Sequence, residues 1–153
     1  MLPYNYIVIV ISSLFDPRSQ KLEAGEQKMP LNGRKILVAE DEPDQLNFIK
    51  TVLEDNGAEV IVAHNGSEAL EMARAKIPHA MTLDINMPGM DVMELLSQLK
   101  HDEKLGELKI CIVSGRPELR LILRDRHLNA NAYLDKPFSG DDLVESIHDL
   151  LDR

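Results

Sequence analysis

From Lys35 onward, short apolar runs alternate with amphipathic stretches, and this alternation constrains the chain more than any other feature. It is the pattern of βα units feeding a parallel sheet. Five units can be counted. The first strand is Lys35 to Ala39; Pro43 suits a first helical turn, Leu46, Ile49, Val52 and Leu53 share one helical face, and Gly57 closes it. The second strand is Glu59 to Ala63, followed by a helix that Asn65 caps and that carries Ala69, Leu70 and Ala73. Pro78 ends that helix, and Ala80 to Leu83 form a third, buried strand. Asp91 to Lys100 places Val92, Leu95, Leu96 and Leu99 at helical spacing, Leu108 to Val113 is a fourth strand, and Pro117 to His127 is a fourth helix. Ala130 to Leu134 gives a fifth strand, and Ser139 caps a last helix bearing Leu143, Ile147, Leu150 and Leu151 on one face. The expected fold class is α/β, a doubly wound parallel sheet of five strands.

A length of 153 residues fits one such domain, and 44% hydrophobic with 28% charged residues excludes collagen-like, disulfide-scaffold and strongly disordered classes. The lone Cys111 excludes an internal disulfide and a multi-thiolate metal site, and points to a cytoplasmic protein. A net charge of -9 argues against nucleic-acid or anionic-membrane binding through the surface as a whole. That excess of acid lies in residues 31–153, because in residues 1–30 Arg18, Lys21 and Lys28 balance Asp16, Glu23 and Glu26.

Residues 1–30 therefore read as an extension or linker ahead of a domain over 31–153. Its apolar run from Tyr4 to Phe15 stops at Asp16-Pro17, short of the roughly 20 residues that span a bilayer. Met1-Leu2-Pro3 lacks the positive start of a secretory signal. Two accounts fit: a start placed upstream of a true first residue at Met29, or an additional strand or helix that would be an aggregation hazard if bare.

A doubly wound sheet binds its ligand outside the carboxyl ends of its strands. That rule selects Glu40, Asp41 and Glu42 after the first strand, Asp84 and Asn86 after the third, Ser114 after the fourth, and Asp135 and Lys136 after the fifth. Carboxylates within ~4 Å repel by about 4 kcal/mol per pair at an effective dielectric near 20, which a hard divalent cation relieves. A few oxygen ligands open to solvent suit magnesium, which bridges carboxylates to phosphate. Phosphoryl chemistry is the natural inference, with Asp84 as a carboxylate nucleophile and Ser114 and Lys136 as partners of the phosphoryl oxygens.

Four stretches in order, Val38-Ala39-Glu40-Asp41-Glu42, Leu83-Asp84-Ile85-Asn86-Met87-Pro88-Gly89-Met90-Asp91, Ser114-Gly115 and Lys136-Pro137-Phe138, strongly resemble the receiver domain of two-component response regulators. The resemblance covers residues 34–152 and includes the intervals of 30 residues from Asp84 to Ser114 and 52 from Asp84 to Lys136. It implies a flavodoxin-like (βα)5 fold with strand order 2-1-3-4-5. It implies a phosphoacceptor at Asp84, served by a histidine kinase or histidine phosphotransfer protein. Magnesium, or manganese, would be held by Asp41, Asp84 and the backbone carbonyl of Asn86, with Glu40 acting through water. Tyr133 matches the aromatic that turns inward when Ser114 moves toward the phosphoryl group, and Asn86 and Arg116 match the positions that tune hydrolysis. The face of the fourth helix, fifth strand and fifth helix would change partners, and receivers commonly pair through it. Val92 and Gly115 depart from the usual Gly and Ala, which affects the loop after Asp84 and the room beside Tyr133.

Each motif has a plainer reading alone. Glu40 to Glu42 before Pro43 suits a helix start, Met87 to Met90 a turn, Lys136-Pro137 a surface loop, and Tyr133 a half-buried strand tyrosine. Arg116, Arg120 and Arg124 recur every four residues, as a solvated stripe paired with Glu118 and Asp125 or as a docking stripe for an acidic partner. No pair of the five histidines has metal spacing. The resulting expectation is a stand-alone, phosphorylation-dependent receiver rather than an enzyme, with no output domain after the last helix. Its rivals are a phosphorelay intermediate, a detached receiver of a hybrid kinase, and an aspartate-nucleophile phosphatase. The last is disfavoured because Asn86 stands where such phosphatases carry a second Asp.

Overall fold

The computed structural model describes residues 29–153. The apolar run after Tyr4 and the linker up to residue 28 lie outside the described residues. Met29 to Asn32 form a turn in which the Asn32 N–H donates to the Met29 carbonyl at 3.2 Å.

From residue 33 the elements run β1 (Lys35–Ala39), α1 (Pro43–Asp55), β2 (Glu59–Ala63), α2 (Gly66–Lys76), β3 (Ala80–Asp84) and α3 (Val92–His101). A 3-10 turn (Glu103–Leu105) leads to β4 (Lys109–Ser114), α4 (Leu119–Asp125), β5 (Ala132–Asp135) and α5 (Gly140–Leu151). The sheet has the order β2-β1-β3-β4-β5 with every neighbouring pair parallel, which is the flavodoxin-like arrangement. β3 lies at its centre with all five residues buried.

The two-residue period of the strands divides the core. Leu37, Ala39, Met81, Leu83, Ile110 and Ile112 pack with Leu95, Leu96 and Leu99 of α3 and with Leu119 and Leu123 of α4. The alternate positions, Ile36, Val38, Thr82, Asp84, Cys111 and Val113, are buried on the opposite face. That face belongs to α1 and α5, which pack on each other and bury Ile49, Leu53, Leu143, Ile147 and Leu150. Cys111 is core, and burial pushes its thiol up to about 12. No described helix is long and apolar enough to cross a membrane.

Local chemistry sets the helix starts. Asn65 accepts from the Glu68 N–H to cap α2, and Ser139 forms a reciprocal capping box with Asp142 at α5. The fourth helix is shorter than the periodicity predicts, spanning Leu119 to Asp125 rather than Pro117 to His127. Glu118 supplies no side-chain cap, and His127, at φ 58°, takes the left-handed conformation that ends a helix. β5 begins at Ala132, two residues later than expected, because the side-chain oxygen of Asn131 accepts the Ile110 N–H at 2.7 Å where a strand residue would offer its backbone.

Candidate functional site

Parallel register brings the ends of four strands into line. Ala39 lies opposite Leu83, Asp84 opposite Val113, and Ser114 opposite Asp135. The residues just past these ends therefore meet at one edge of the sheet.

After β1 the three acids divide their labour. Glu42 is the N-cap of α1, its Oε1 accepting from the Gln45 N–H at 2.7 Å, so the helix-start reading holds for this residue. Asp41 is exposed. Glu40 is drawn inward to 1% exposure; its Oε2 accepts the Glu42 N–H at 3.2 Å, while its Oε1 is buried with no hydrogen-bond partner. Asp84, at the end of the central strand, is 5% exposed. Its Oδ1 accepts the Asn86 N–H at 3.3 Å and the Lys136 ammonium at 3.4 Å.

One carboxylate oxygen each from Glu40, Asp41 and Asp84 lies within 4.8 Å of the others. Burial pushes the Glu40 carboxyl up from 4.5 to about 7; the neighbouring Asp84 carboxylate adds to the rise, while the Glu42 N–H and the Lys136 ammonium oppose it. A buried carboxylate oxygen without a donor, in a group of three acids facing one ammonium, is chemistry that a hard divalent cation completes. The donor set is all oxygen and partly open, which fits magnesium or manganese.

On the far side of Asp84, the Ser114 hydroxyl is engaged with the backbone of Arg116, accepting its N–H at 2.8 Å and donating to its carbonyl at 3.4 Å. The Lys136 N–H donates to the Ser114 carbonyl at 2.8 Å, fixing the ends of β4 and β5 together. Gly115 leaves open space here, since a Cβ added to it would only just touch Lys136 at 4.0 Å.

The other predicted residues lie apart from the acids. Tyr133 turns its hydroxyl to the Ala130 N–H at 3.2 Å, and Arg120 covers its ring at 5.1 Å from the centroid. The arginines do not form one helical stripe. Arg116 precedes α4 and pairs with Glu118 at 3.1 Å, Arg120 folds back onto β5 and lies 3.5 Å from Asp135, and Arg124 is exposed.

Two features escape sequence reasoning. A Cβ on Gly66 would stand 2.8 Å from the Met90 Cβ, so the loop after β3 is pressed against the start of α2. Phe48 of α1 meets Phe138 with ring centroids 6.1 Å apart, and the two rings with Gln45, Lys136 and Pro137 line a cleft of about 390 Å³ beside the site. Both are tertiary contacts with no local signal, although Phe138 belongs to the Lys136-Pro137-Phe138 motif.

Known proteins share this fold. The model of the family described as the response regulator receiver domain matches residues 36–148. The chain is 27% identical over 117 residues to protein PilH of Pseudomonas aeruginosa, covering 76% of this chain and 97% of PilH. It is 33% identical over 119 residues to the response regulator MprA of Mycobacterium ulcerans, covering 78% of this chain and 50% of MprA, so it spans half of that relative's length. Among solved structures, a CheY-like response regulator receiver domain protein from Methanospirillum hungatei superposes with a TM-score of 0.69 at 30% identity, covering 78% of this chain and 94% of that one.

Proposed function

We propose, on the premise that this chain belongs to the response regulator receiver domain family of two-component signal transduction, that Asp84 accepts a phosphoryl group from the phosphohistidine of a histidine kinase or histidine phosphotransfer protein. An Asp84 carboxylate oxygen attacks phosphorus, the P–N bond breaks with its electron pair left on the imidazole, and a mixed anhydride forms on Asp84. Asp84, Asp41 and the Asn86 backbone carbonyl, with Glu40 through water, would hold magnesium or manganese. When bound, that cation neutralises charge on the phosphoryl oxygens.

Lys136, already 3.4 Å from Asp84, pairs with one phosphoryl oxygen. Ser114 exchanges its bond to the Arg116 carbonyl for one to another, so it binds more strongly in the loaded state than in the empty one. Tyr133 moves in turn, and the α4–β5–α5 face changes what it binds, whether a downstream target or a second copy. Asn86 and Arg116 set the lifetime of the anhydride. The protein acts in the cytoplasm through protein partners and not nucleic acid, with residues 31–153 as the receiver and 1–30 as an extension. Any activity on its own phosphoryl group is limited to gaining and losing it.

The observation that carries this reading is the buried, donor-free oxygen of Glu40 beside an Asp84 that already faces Lys136. The test is intact mass after incubation with acetyl phosphate and magnesium, beside Asp84→Ala and a metal-free control. One phosphoryl adduct, only in the unaltered protein and only with metal, is the expected result. No adduct from acetyl phosphate or from a phosphorylated histidine kinase would retire the reading, and multiple turnover of small phosphoesters would favour the phosphatase instead.

A further inference from the structure

α4 is the least secured helix among the described residues. It has seven residues, lacks a side-chain cap at Glu118 and buries only Leu119 and Leu123. A helix this short has little stability of its own, so its placement depends on what its side chains reach. Arg120, in its first turn, makes three contacts with β5. Its guanidinium carbon stands 5.1 Å over the Tyr133 ring, a terminal nitrogen donates to the Tyr133 carbonyl at 3.4 Å, and the same nitrogen lies 3.5 Å from Asp135 Oδ2. Tyr133, tied at its hydroxyl to the Ala130 N–H and covered on one face by Arg120, is held in one orientation. A planar guanidinium can stack and pair at once, which a lysine ammonium cannot.

The other end of the linkage is Ser114. Its hydroxyl donates to the Arg116 carbonyl at 3.4 Å, and that carbonyl also accepts the N–H of Leu119, the first residue of α4, at 3.1 Å. A continuous path therefore runs from the Ser114 hydroxyl through the Arg116 carbonyl to α4, and from the next residue, Arg120, to Tyr133 and Asp135.

We propose that Arg120 is a positioning residue that transmits movement of the Ser114 end of β4 to Tyr133. The proposal rests on the reading of Asp84 as phosphoacceptor. When Ser114 turns to a phosphoryl oxygen it releases the Arg116 carbonyl, the first turn of α4 shifts, and Arg120 carries that shift to the Tyr133 ring. Arg120 makes no hydrogen bond or ion pair with Glu40, Asp41 or Asp84, so its loss leaves loading intact and removes the response. The same contacts engage Arg120 within its own molecule.

The experiment compares the unaltered protein with Arg120→Gln and Arg120→Lys. Loading is measured by intact mass with acetyl phosphate and magnesium. Orientation of Tyr133 is monitored by NMR of carbon-13-labelled tyrosine rings with and without beryllofluoride and magnesium, with Tyr133→Phe assigning the signal. The expected result is an adduct in all three proteins within about twofold in rate, a Tyr133 shift in the unaltered protein, less than a third of that shift in Arg120→Gln, and partial recovery in Arg120→Lys, which keeps the ion pair without the stack. A full Tyr133 response in Arg120→Gln, or none in an unaltered protein that loads, overturns the role of Arg120 while leaving the receiver reading in place. Absence of any adduct in the unaltered protein, from acetyl phosphate and from a phosphorylated histidine kinase alike, overturns the receiver reading itself. Should Arg120→Gln fail to fold by thermal melting, a full response in Arg120→Lys overturns the proposal and a reduced one supports it.

Discussion

At the carboxyl edge of the sheet, Glu40 and Asp84 at the ends of β1 and β3 are 1% and 5% exposed, whereas the Arg120 and Asp135 side chains that join α4 to β5 are 50% and 61% exposed. The two halves of one edge thus hold charge in opposite ways. On the acidic side the unfavourable packing of like charges is built in during folding, and the strand ends and the Glu42 N–H, which Glu40 accepts, keep it there. On the other side the linking contacts are exposed ion pairs and a cation over a ring, each worth at most about 1 kcal/mol. On the proposed function, the site that receives a cation and a phosphoryl group lies where movement is costly, and the part that responds lies where it is cheap.

The largest test of this contrast is the pH dependence of stability. Because the Glu40 carboxyl rises from 4.5 to about 7 on folding, the folded state holds this proton more tightly than the unfolded one. The contribution is therefore fully present below about pH 4.5, declines as pH rises, and is lost above about pH 7, a change of up to about 3 kcal/mol. The metal-free protein should melt at lower temperature at pH 7.5 than at pH 5, and Glu40→Gln should flatten that dependence. Magnesium should raise the melting temperature more at pH 7.5 than at pH 5, since the proton on Glu40 and the cation relieve the same crowding of negative charge. The lowered carboxyls of Glu68, Asp102 and Glu118 act below this range, where their contributions are lost as pH falls, so they do not mask it. A melting temperature that climbs from pH 5 to pH 7.5 without metal would mean that the acidic half is not strained as described.

A second test addresses the bracing of that half. The Cβ introduced by Gly66→Ala would stand 2.8 Å from the Met90 Cβ, closer than packed carbons approach, so either α2 or the loop carrying Asn86 to Met90 must move. A destabilisation of about 1–3 kcal/mol in urea unfolding is expected, together with weaker magnesium binding by titration. Unchanged metal affinity in a destabilised variant would separate the loop's packing from the site and weaken the contrast.

The architecture was largely legible because the strands are short and strongly apolar, and because Pro43, Asn65, Pro78 and Ser139 mark boundaries by local chemistry. The acids and Lys136 were legible for a different reason: strand ends in a parallel sheet converge, so the residues just after each apolar run approximate the site. Glu42 shows the limit of that rule, since position after a strand did not distinguish a capping carboxylate from one turned inward. The arginines show another. A spacing of four suggested one stripe, yet the helix begins after Arg116 and the side chain of Arg120 chooses β5, decisions made by an absent cap and by a tyrosine 13 residues further along the chain. The meeting of Gly66 with Met90 and of Phe48 with Phe138 depends wholly on tertiary placement.

The smallest expected effect compares the two helix starts directly. Asn65 begins α2 with extended backbone and a side-chain oxygen that accepts the Glu68 N–H at 2.8 Å, whereas Glu118 begins α4 with helical backbone and no such bond. Removing a made cap leaves a helical N–H without its partner, so Asn65→Ala should cost about 1 kcal/mol in urea unfolding. Glu118→Ala removes an exposed pair with Arg116 and no cap, and its unfolding midpoint should match that of the unaltered protein. Amide hydrogen exchange sharpens the comparison: protection in the first turn of α2 should fall in Asn65→Ala, while the first turn of α4 should exchange quickly in the unaltered protein and no faster in Glu118→Ala. Slow exchange at the start of α4 would show that this start is held as firmly as the capped start of α2, and the contrast between the two helix starts would then fail.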